Sequence, residues 1–257
     1  MNPPSSDRQT ATRTLRLELE YDGTDFVGWQ IQRQGRTIQG ELSRVLHILL
    51  KEEIRPVASG RTDAGTHALG QVAHFHTSAA WEPDRLQRAL NGLLPPDIAV
   101  IGLTEAPERF HARFSAVSKR YRYRIGTAKT ALHRGQVWPV YFPLALEPLQ
   151  QATQDLLGTH HFSAFCKRDP EPENFHCQII ACNWRRQDRE LIFEIEGNRF
   201  LRHMVRILVG TMAQMAAGRR PPTDLAELLR QGDRQQAGPT APAQGLCLVR
   251  VHYPDFS

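Results

Sequence analysis

The sequence predicts an α+β protein made of two ferredoxin-like halves, each with the element order β-α-β-β-α-β. Three observations support this prediction. Short segments alternate apolar and polar residues as half-buried strands do, helical apolar patterns separate those segments, and the same order of elements occurs twice. We expect residues 14–108 and 109–257 to form the two halves, with antiparallel sheets joined around a basic central cleft. Residues 1–13 are polar, and we expect them to form a disordered tail.

The first half begins with alternation between apolar and charged residues, which predicts a strand from Leu15 to Tyr21. Apolar residues at helical spacing then predict a helix over 38–49, for which Thr37 is a suitable N-cap. The remaining predicted elements are strands at 54–59 and 71–77, a helix that Pro83 opens and the Pro95–Pro96 pair ends, and a strand at 98–103.

The second half begins with a strand in which Tyr121, Tyr123 and Ile125 alternate with arginines. A long helix is predicted from an Asn198 cap to residue 217, with Gly218 at its C-terminal end. The other predicted elements are helices at 147–157 and 223–230, strands at 177–185, 190–196 and 246–252, and a surface loop at 232–245.

The basic residues are mostly arginine. The chain has 257 residues and a net charge of +5, and lysine accounts for only four of its 32 basic residues, at positions 51, 119, 129 and 167. Arginine pairs with phosphate through a planar fork and stacks on bases. A GC-rich genome produces the same bias, so the composition permits a nucleic-acid partner without requiring one.

Several classes of protein are disfavoured. No apolar run reaches the roughly 18 residues of a membrane span, and the first residues lack the apolar segment of a secretory signal, so we expect a cytoplasmic protein. The four cysteines contain no CxxC pair. His74 and His76 form an HxH pattern without a third clustered ligand, so we expect no metal site. Nucleotide-binding glycine motifs and the GxSxG hydrolase motif are absent from the sequence.

The segment SGRTDAGTHALGQVAHF, residues 59–75, is the most informative. Its glycines interrupt any regular pattern, which places Asp63 on an irregular loop between two strands. Arg61 lies two residues before Asp63, and a carboxylate beside a fixed guanidinium stays ionised at neutral pH, as a nucleophile or base must. The alternative is a turn in which Asp63 only accepts backbone hydrogen bonds. On these residues alone, the turn is the better interpretation.

Two other patterns have both a structural and a functional interpretation. Arg199, Arg202 and Arg206 would lie along one side of the predicted long helix, either as a solvated surface or as a phosphate-binding stripe. The basic and aromatic segment 110–125 could place Tyr121 or Tyr123 against an unstacked base, although strand aromatics more often pack in the core. This segment lacks the RNP1 consensus, which disfavours an RRM.

Seven stretches, taken in order, resemble the tRNA pseudouridine synthase A family along nearly the whole chain. They are EYDGTDFVGWQ (20–30), TIQGEL (37–42), SGRTDAGTHALGQVAHF (59–75), NGLLPPDIAV (91–100), FHARFSAVSKRYRYRI (110–125), FLRHMVRILVG (200–210) and GLCLVRVHYP (245–254). The resemblance implies isomerisation of uridine to pseudouridine at positions 38, 39 and 40 in the anticodon stem-loop of tRNA, without a cofactor. It also implies a homodimer.

The resemblance further implies roles for individual residues. Asp63 corresponds to the invariant aspartate of the family, and Tyr121 to the tyrosine that stacks on or braces the target base. Arg206 corresponds to the arginine expected to pair with the aspartate. Arg61 would help to open the stem or hold the flipped base. Leu246 or Leu248 would supply an apolar wall, and the sequence does not choose between them.

The family pattern is not matched everywhere. Thr66 stands where the family more often has valine, and His161 stands where it usually has an acidic residue before phenylalanine. The sequence also suggests three alternatives to the 38–40 activity. They are an RNA-binding protein without activity, a synthase of the same family acting at other RNA positions, and a metal-dependent hydrolase using His74 and His76. The intact motif residues argue against the first, and the missing further ligands argue against the third.

Overall fold

The computed structural model describes residues 12–168 and 174–255. The expected tail falls mainly on residues 1–11, outside the described residues, whereas Arg13 already belongs to the first strand. The elements, numbered in chain order, are β1 (Arg13–Tyr21), α1 (Ile38–Leu50), β2 (Val57–Ala58), β3 (His67–Thr77), α2 (Pro83–Leu93), β4 (Ile98–Ala106), β5 (Ser118–Gly126), β6 (Trp138–Pro139), α3 (Glu147–Thr153), β7 (Gly158–His161), β8 (His176–Gln187), β9 (Glu190–Gly197), α4 (Met204–Ala216), α5 (Asp224–Gln231) and β10 (Leu246–His252).

The chain forms a mixed α+β structure around one large sheet. The strand order is β4-β1-β3-β10-β5-β9-β8-β7, with β2 paired to β3 and β6 paired to β5. Strands β3 and β10 join the two halves of the sheet through a short parallel pairing, in which His67 lies opposite Cys247 and Ala68 opposite Leu248. The described strands are therefore continuous across the middle of the molecule and do not form two separate antiparallel sheets.

The helices bury their apolar sides as the sequence pattern predicts. In α1, Ile38, Leu42 and Leu46 are at most 1% exposed, and the Thr37 side chain accepts a hydrogen bond from the amide of Gly40 at 3.1 Å, which confirms the predicted cap. Burial of each such side chain stabilises the fold by about 1.5–3 kcal/mol. Among the described helices, none is both long enough and apolar enough to cross a membrane.

The prediction for the long helix is wrong at its N-terminus. The Asn198 amide donates to the Gln178 carbonyl (3.0 Å) and its side-chain oxygen accepts from the Gln178 amide (2.9 Å), so Asn198 extends the contact between β8 and β9. Helix α4 begins only at Met204, after His203, whose φ of 62° is left-handed. Arg199 and Arg202 therefore precede the helix, and the predicted helical arginine stripe does not exist.

Smaller differences concern short elements. The predicted helix at 147–157 ends at Thr153 and continues as a 3-10 turn, Gln154–Leu156. Strand β3 begins at His67, four residues earlier than predicted. Strands β6 and β7 were not predicted, because segments of two and four residues contain too few side chains to show alternation.

Candidate active site around Asp63

Asp63 lies on the loop between β2 and β3, which we call the Asp63 loop (residues 59–66). The segment 26–29 holds this loop on both sides of Asp63. The two backbone hydrogen bonds run from the Trp29 amide to the Thr62 carbonyl and from the Gly65 amide to the Phe26 carbonyl, each at 3.1 Å. The carboxylate therefore projects from a loop whose backbone is fixed by a second segment of the first half.

Gly28 makes this close approach possible. Its φ is 107°, a left-handed conformation that side chains strongly disfavour, and a Cβ at this position would lie 2.7 Å from the Thr62 carbonyl oxygen. The glycine of the GWQ motif is therefore needed for contact between the two segments, and any side chain there would displace the Asp63 loop.

Arg206 is the cation beside Asp63. Its Nη1 lies 2.9 Å from Asp63 Oδ2, and its Nε donates to the Ala241 carbonyl at 2.8 Å. The Ala241 amide in turn donates to the Arg206 carbonyl at 3.1 Å. Because the guanidinium is held from two sides, Asp63 has a well-oriented cationic partner. The side chains of Arg206 and Asp63 are only 14% and 27% exposed.

Arg61 does not occupy this place. It is exposed, and it forms no hydrogen bond or ion pair with the residues that the structure describes. The proximity of Arg61 and Asp63 in sequence suggested that Arg61 is the guanidinium beside the carboxylate, but the two side chains form no ion pair. The neighbouring guanidinium comes from Arg206, which is 143 positions away.

His203 is a site residue that the sequence reasoning missed. Its Nε2 lies 3.5 Å from Asp63 Oδ2, the same oxygen that Arg206 contacts. Burial lowers the pKa of His203, the Asp63 carboxylate opposes that shift, and the cations Arg206, Arg202 and Lys167 add to it. The neutral imidazole is thus favoured near neutral pH. The available signal was its position within the HMVR motif, three residues before Arg206.

Tyr121 lies on β5 between Leu248 of β10 and Ile195 of β9. It is 8% exposed, and its ring packs edge to face against Phe200 with the centroids 5.0 Å apart. Burial raises the pKa of the Tyr121 hydroxyl, and the nearby Tyr21 and Asp63 raise it further. The hydroxyl is therefore protonated at neutral pH and can donate a hydrogen bond.

Tyr123 is the other tyrosine that the sequence offered for stacking. It is fully buried, and its hydroxyl donates to the Pro242 carbonyl at 2.7 Å. Tyr123 is thus a core residue of the protein. Leu246 lies opposite Tyr123 and Leu248 opposite Tyr121 in the β5–β10 pairing, with exposures of 6% and 0%. Both leucines are on the face of the sheet that carries the two tyrosines.

His67 ties the end of the Asp63 loop to three other segments. Its Nδ1 accepts a hydrogen bond from the Gly23 amide at 3.1 Å, and its Nε2 lies 3.0 Å from the Gly135 carbonyl and 3.1 Å from that of Gln244. His67 is 5% exposed. This buried imidazole holds the junction of β3 and β10 next to Asp63.

The two histidines of the HxH pair on β3 make structural contacts within the sheet. The His74 and His76 rings lie 5.5 Å apart, the Ala112 amide donates to His74 Nδ1 at 3.2 Å, and Thr14 Oγ1 lies 3.0 Å from His76 Nδ1. Burial first, and then the neighbouring His111 and His76, lower the pKa of His74 to about 4. His74 is thus a neutral, hydrogen-bonded residue of the sheet.

A cavity of about 650 Å³ opens beside the Asp63–Arg206 pair. His203 and Arg206 line it, its other basic residues are Lys167, Arg168 and Arg234, and Asp233 is its acidic residue among the described lining. An anionic chain entering this cavity would meet fixed positive charge close to the Asp63 carboxylate.

The chain is similar to known proteins over most of its length. A family model described as tRNA pseudouridine synthase matches residues 19–115 and 152–254. The chain is 46% identical over 237 residues to tRNA pseudouridine synthase A of Halalkalibacterium halodurans, covering 91% of this chain and 90% of that protein. The chain belongs to the tRNA pseudouridine synthase family. It is therefore a pseudouridine synthase, an isomerase.

A second relative in this family is tRNA pseudouridine synthase A of Myxococcus xanthus. It is 43% identical over 244 residues, which cover 94% of this chain and 92% of that protein. Among solved structures, a Cbf5-Nop10-Gar1 complex is similar with a TM-score of 0.40 and 8% identity, over 91% of this chain and 48% of the other. A likeness at that level is too weak to establish a shared fold.

Proposed function

We propose that this pseudouridine synthase isomerises uridine to pseudouridine at positions 38, 39 and 40 in the anticodon stem-loop of tRNA. Asp63 is its catalytic carboxylate, and the reaction needs no cofactor. The observation that carries the proposal is the ion pair between Asp63 and Arg206, whose guanidinium also lines a basic cavity. The relatives are named as tRNA pseudouridine synthases, and this name and the seven motif stretches support tRNA as the substrate.

The reaction requires one reactive group and no net exchange of atoms. The bond between N1 and C1′ breaks, the uracil turns, C5 bonds to C1′, and a proton leaves C5 while N1 gains one. A carboxylate can start this sequence either by attacking the nucleoside covalently or by removing a ribose proton. Arg206 and His203 contact Oδ2 of Asp63, while Oδ1 accepts no hydrogen bond from the described residues. Oδ1 is therefore the oxygen available to the substrate.

The pocket residues fit a flat, uncharged base. Tyr121 supplies an aromatic ring, and its protonated hydroxyl can donate to a uracil carbonyl. Leu246, with Leu248 beside it, forms an apolar wall next to this ring. Such a pocket excludes water, which would otherwise capture the separated ribose before the C5 bond forms.

The exposed Arg61 fits a role outside the chemical step. A paired base must leave its stack before it reaches Asp63, at a cost of a few kcal/mol. Arg61 projects from the Asp63 loop into solvent and has no protein partner among the described residues, so its guanidinium is free to contact the opened stem. The cavity cations Lys167, Arg168 and Arg234 offset the remaining cost through contacts with phosphates.

We infer two features of the architecture on the same basis. In the first half, β1 lies between β3 and β4, and β2 pairs with β3. In the second half, β5 lies between β9 and β10, and β8 pairs with β9. This order supports two ferredoxin-like halves with a basic cleft at their junction. The family resemblance supports a homodimer, and its substrate supports a cytoplasmic location.

The decisive experiment maps pseudouridine in unmodified tRNA with uridine at positions 38–40, incubated with the enzyme and no cofactor. We expect modification by the wild-type enzyme and a loss of roughly three orders of magnitude or more for Asp63→Asn. Asp84→Asn is the matched control, because Asp84 is exposed on α2 and should leave the rate unchanged. Wild-type modification at other positions would refute the site assignment, and an active Asp63→Asn variant would refute the role of Asp63.

A further inference from the structure

Lys119 is a buried cation without a partner. It lies on β5 and is 9% exposed, yet it forms no hydrogen bond or ion pair with any described residue. Burial, together with the neighbouring Arg113 and Arg199, lowers its pKa to about 8. An ammonium that loses most of its contact with water without gaining a counter-charge destabilises the folded state, so a stable fold normally pairs or excludes such a group.

The other charged residues of β5 are paired. Three arginines alternate with the tyrosines and project from the opposite face of the sheet, where carboxylates of β9 neutralise them. The pairs are Arg120–Glu196 at 2.7 Å, Arg122–Glu194 at 2.9 Å and Arg124–Glu190 at 2.7 Å. Each arginine on this outer face of β5 is thus paired with a carboxylate. Lys119, which projects from the opposite face toward the Asp63 side, is the one charged residue of β5 that is unpaired among the described residues.

The position of Lys119 connects it to the candidate active site. Lys119 and Tyr121 are two residues apart on one strand, so their side chains share a face and lie about 7 Å apart along it. The Lys119 stem also approaches the Asp63 loop, since a Cβ on Gly60 would lie 3.5 Å from Lys119 Cε. The Lys119 side chain therefore packs against the start of the loop that carries Asp63, on the sheet face that also carries Tyr121.

Two arginines enlarge this unpaired charge. Arg113 is exposed on the loop before β5, and Arg199 is half-buried just after β9. Arg199 follows Gly197, the β9 residue that lies opposite Lys119, by two positions. The charges of Arg113 and Arg199 both lower the Lys119 pKa, and neither arginine forms an ion pair with a carboxylate among the described residues. Three adjacent cations without an acidic neighbour are a site for an anion and repel metal ions.

We propose that Lys119, Arg113 and Arg199 bind a phosphodiester of the substrate RNA next to the target nucleotide. The proposal rests on the function proposed above, because a base held at Tyr121 brings its own backbone phosphates within a few ångströms of Lys119. An ammonium that is already desolvated interacts more strongly with phosphate than a hydrated surface lysine does. Lys119 would thereby set the position of the ribose relative to Asp63.

The first test measures tRNA affinity as a function of salt for the intact enzyme. Lys119→Met should weaken binding about 10-fold or more and reduce the slope of log affinity against log salt by about one. Lys119→Arg keeps the charge and should retain most of the affinity. Lys129→Met is the matched control, because Lys129 is an exposed lysine beyond the far end of β5 and should leave both quantities unchanged. An unchanged affinity and slope in Lys119→Met would overturn the proposal.

The second test identifies the phosphate. A ligated tRNA carries a single uncharged methylphosphonate at each linkage around the target uridine in turn. For wild type, one linkage should cost about 10-fold in affinity, and Lys119→Met should lose no further affinity at that linkage. Additive losses at every linkage would refute the phosphate site. The absence of a sensitive linkage for wild type would refute it even where Lys119→Met does not fold. Absence of any pseudouridine in tRNA treated with wild type would instead refute the proposed function, so the two failures are distinguishable.

Discussion

Replacing Lys119 by methionine should stabilise the free enzyme, and the gain should depend on pH. The physical reason is that the folded state holds an ammonium away from water with no carboxylate beside it. Methionine has a similar length and volume and carries no charge, so it retains the packing of the lysine stem while removing the desolvated charge. The substitution thus tests the unpaired state of Lys119 independently of any substrate.

The magnitude follows from the pKa of Lys119. Its fall from 10.5 to about 8 corresponds to about 3 kcal/mol of preference for the neutral form in the folded state. Below pH 8 the lysine is charged in both folded and unfolded chains, and the whole cost is present. Between pH 8 and 10.5 the folded chain loses the proton first, so wild-type stability rises with pH relative to the variant. The stability advantage of Lys119→Met should therefore shrink across this window.

Urea unfolding of both chains at pH 7, 8, 9 and 10 measures this advantage. The difference in unfolding free energy cancels the titration of every other group, because both chains carry the same ones. We expect the advantage to fall by about 2–3 kcal/mol between pH 7 and 10, and Lys129→Met to show no such trend. A difference that stays constant with pH, or a variant less stable than wild type at pH 7, would refute the interpretation of Lys119 as an unpaired buried cation.

Three further predictions concern the site and its support. Arg206→Lys should lower the single-turnover rate about 100-fold with little change in thermal stability. The reason is that a lysine cannot contact Asp63 and the Ala241 carbonyl together. An unchanged rate would contradict this. Thr66→Val should raise the unfolding free energy by about 1 kcal/mol, since the buried Thr66 hydroxyl has no hydrogen-bond partner among the described residues; urea unfolding that shows a loss would contradict it. Gly210→Ala should reduce both the melting temperature and the single-turnover rate. The alanine Cβ would lie 1.8 Å from the Pro239 carbonyl oxygen, in the segment that positions Arg206. Retention of both quantities would count against the close packing of Gly210 on Pro239.

Elements with a local cause were predictable from the sequence. The alternation from Leu15 to Tyr21 and the Thr37 cap both operate within a few residues, and the structure has β1 and the start of α1 where these signals place them. Pro83 likewise opens α2 as expected. Such patterns need no knowledge of distant contacts, because side-chain periodicity and capping are properties of the segment itself.

Elements with a distant cause were not predictable. Asn198 has the side chain of a helix cap, but its backbone amide and its side-chain oxygen are both hydrogen-bonded to Gln178, 20 positions earlier. The helix then begins five residues later than the sequence pattern suggests. The continuity of the sheet depends on two residue pairs between β3 and β10, which no periodicity can reveal.

The same difference between local and distant signals applies to the candidate site. Sequence proximity pointed to Arg61 as the cation beside Asp63, whereas the structure brings Arg206 there from 143 positions away. Only the motif resemblance indicated Arg206, and neither local physics nor composition could have done so. His203 was missed because a left-handed residue before a helix leaves no trace in apolar spacing.

The short parallel pairing of β3 with β10, which we call the joint, lies next to both Asp63 and Tyr121. The parallel pairing of β3 with β10 begins at His67, four residues after Asp63, and its second pair places Leu248 beside both Ala68 and Tyr121. The carboxylate from the first half and the aromatic ring from the second are thus positioned by the same few backbone hydrogen bonds. Because the joint contains only two residue pairs, a change that loosens it should separate Asp63 from Tyr121. Substitutions that weaken this joint should therefore lower the activity.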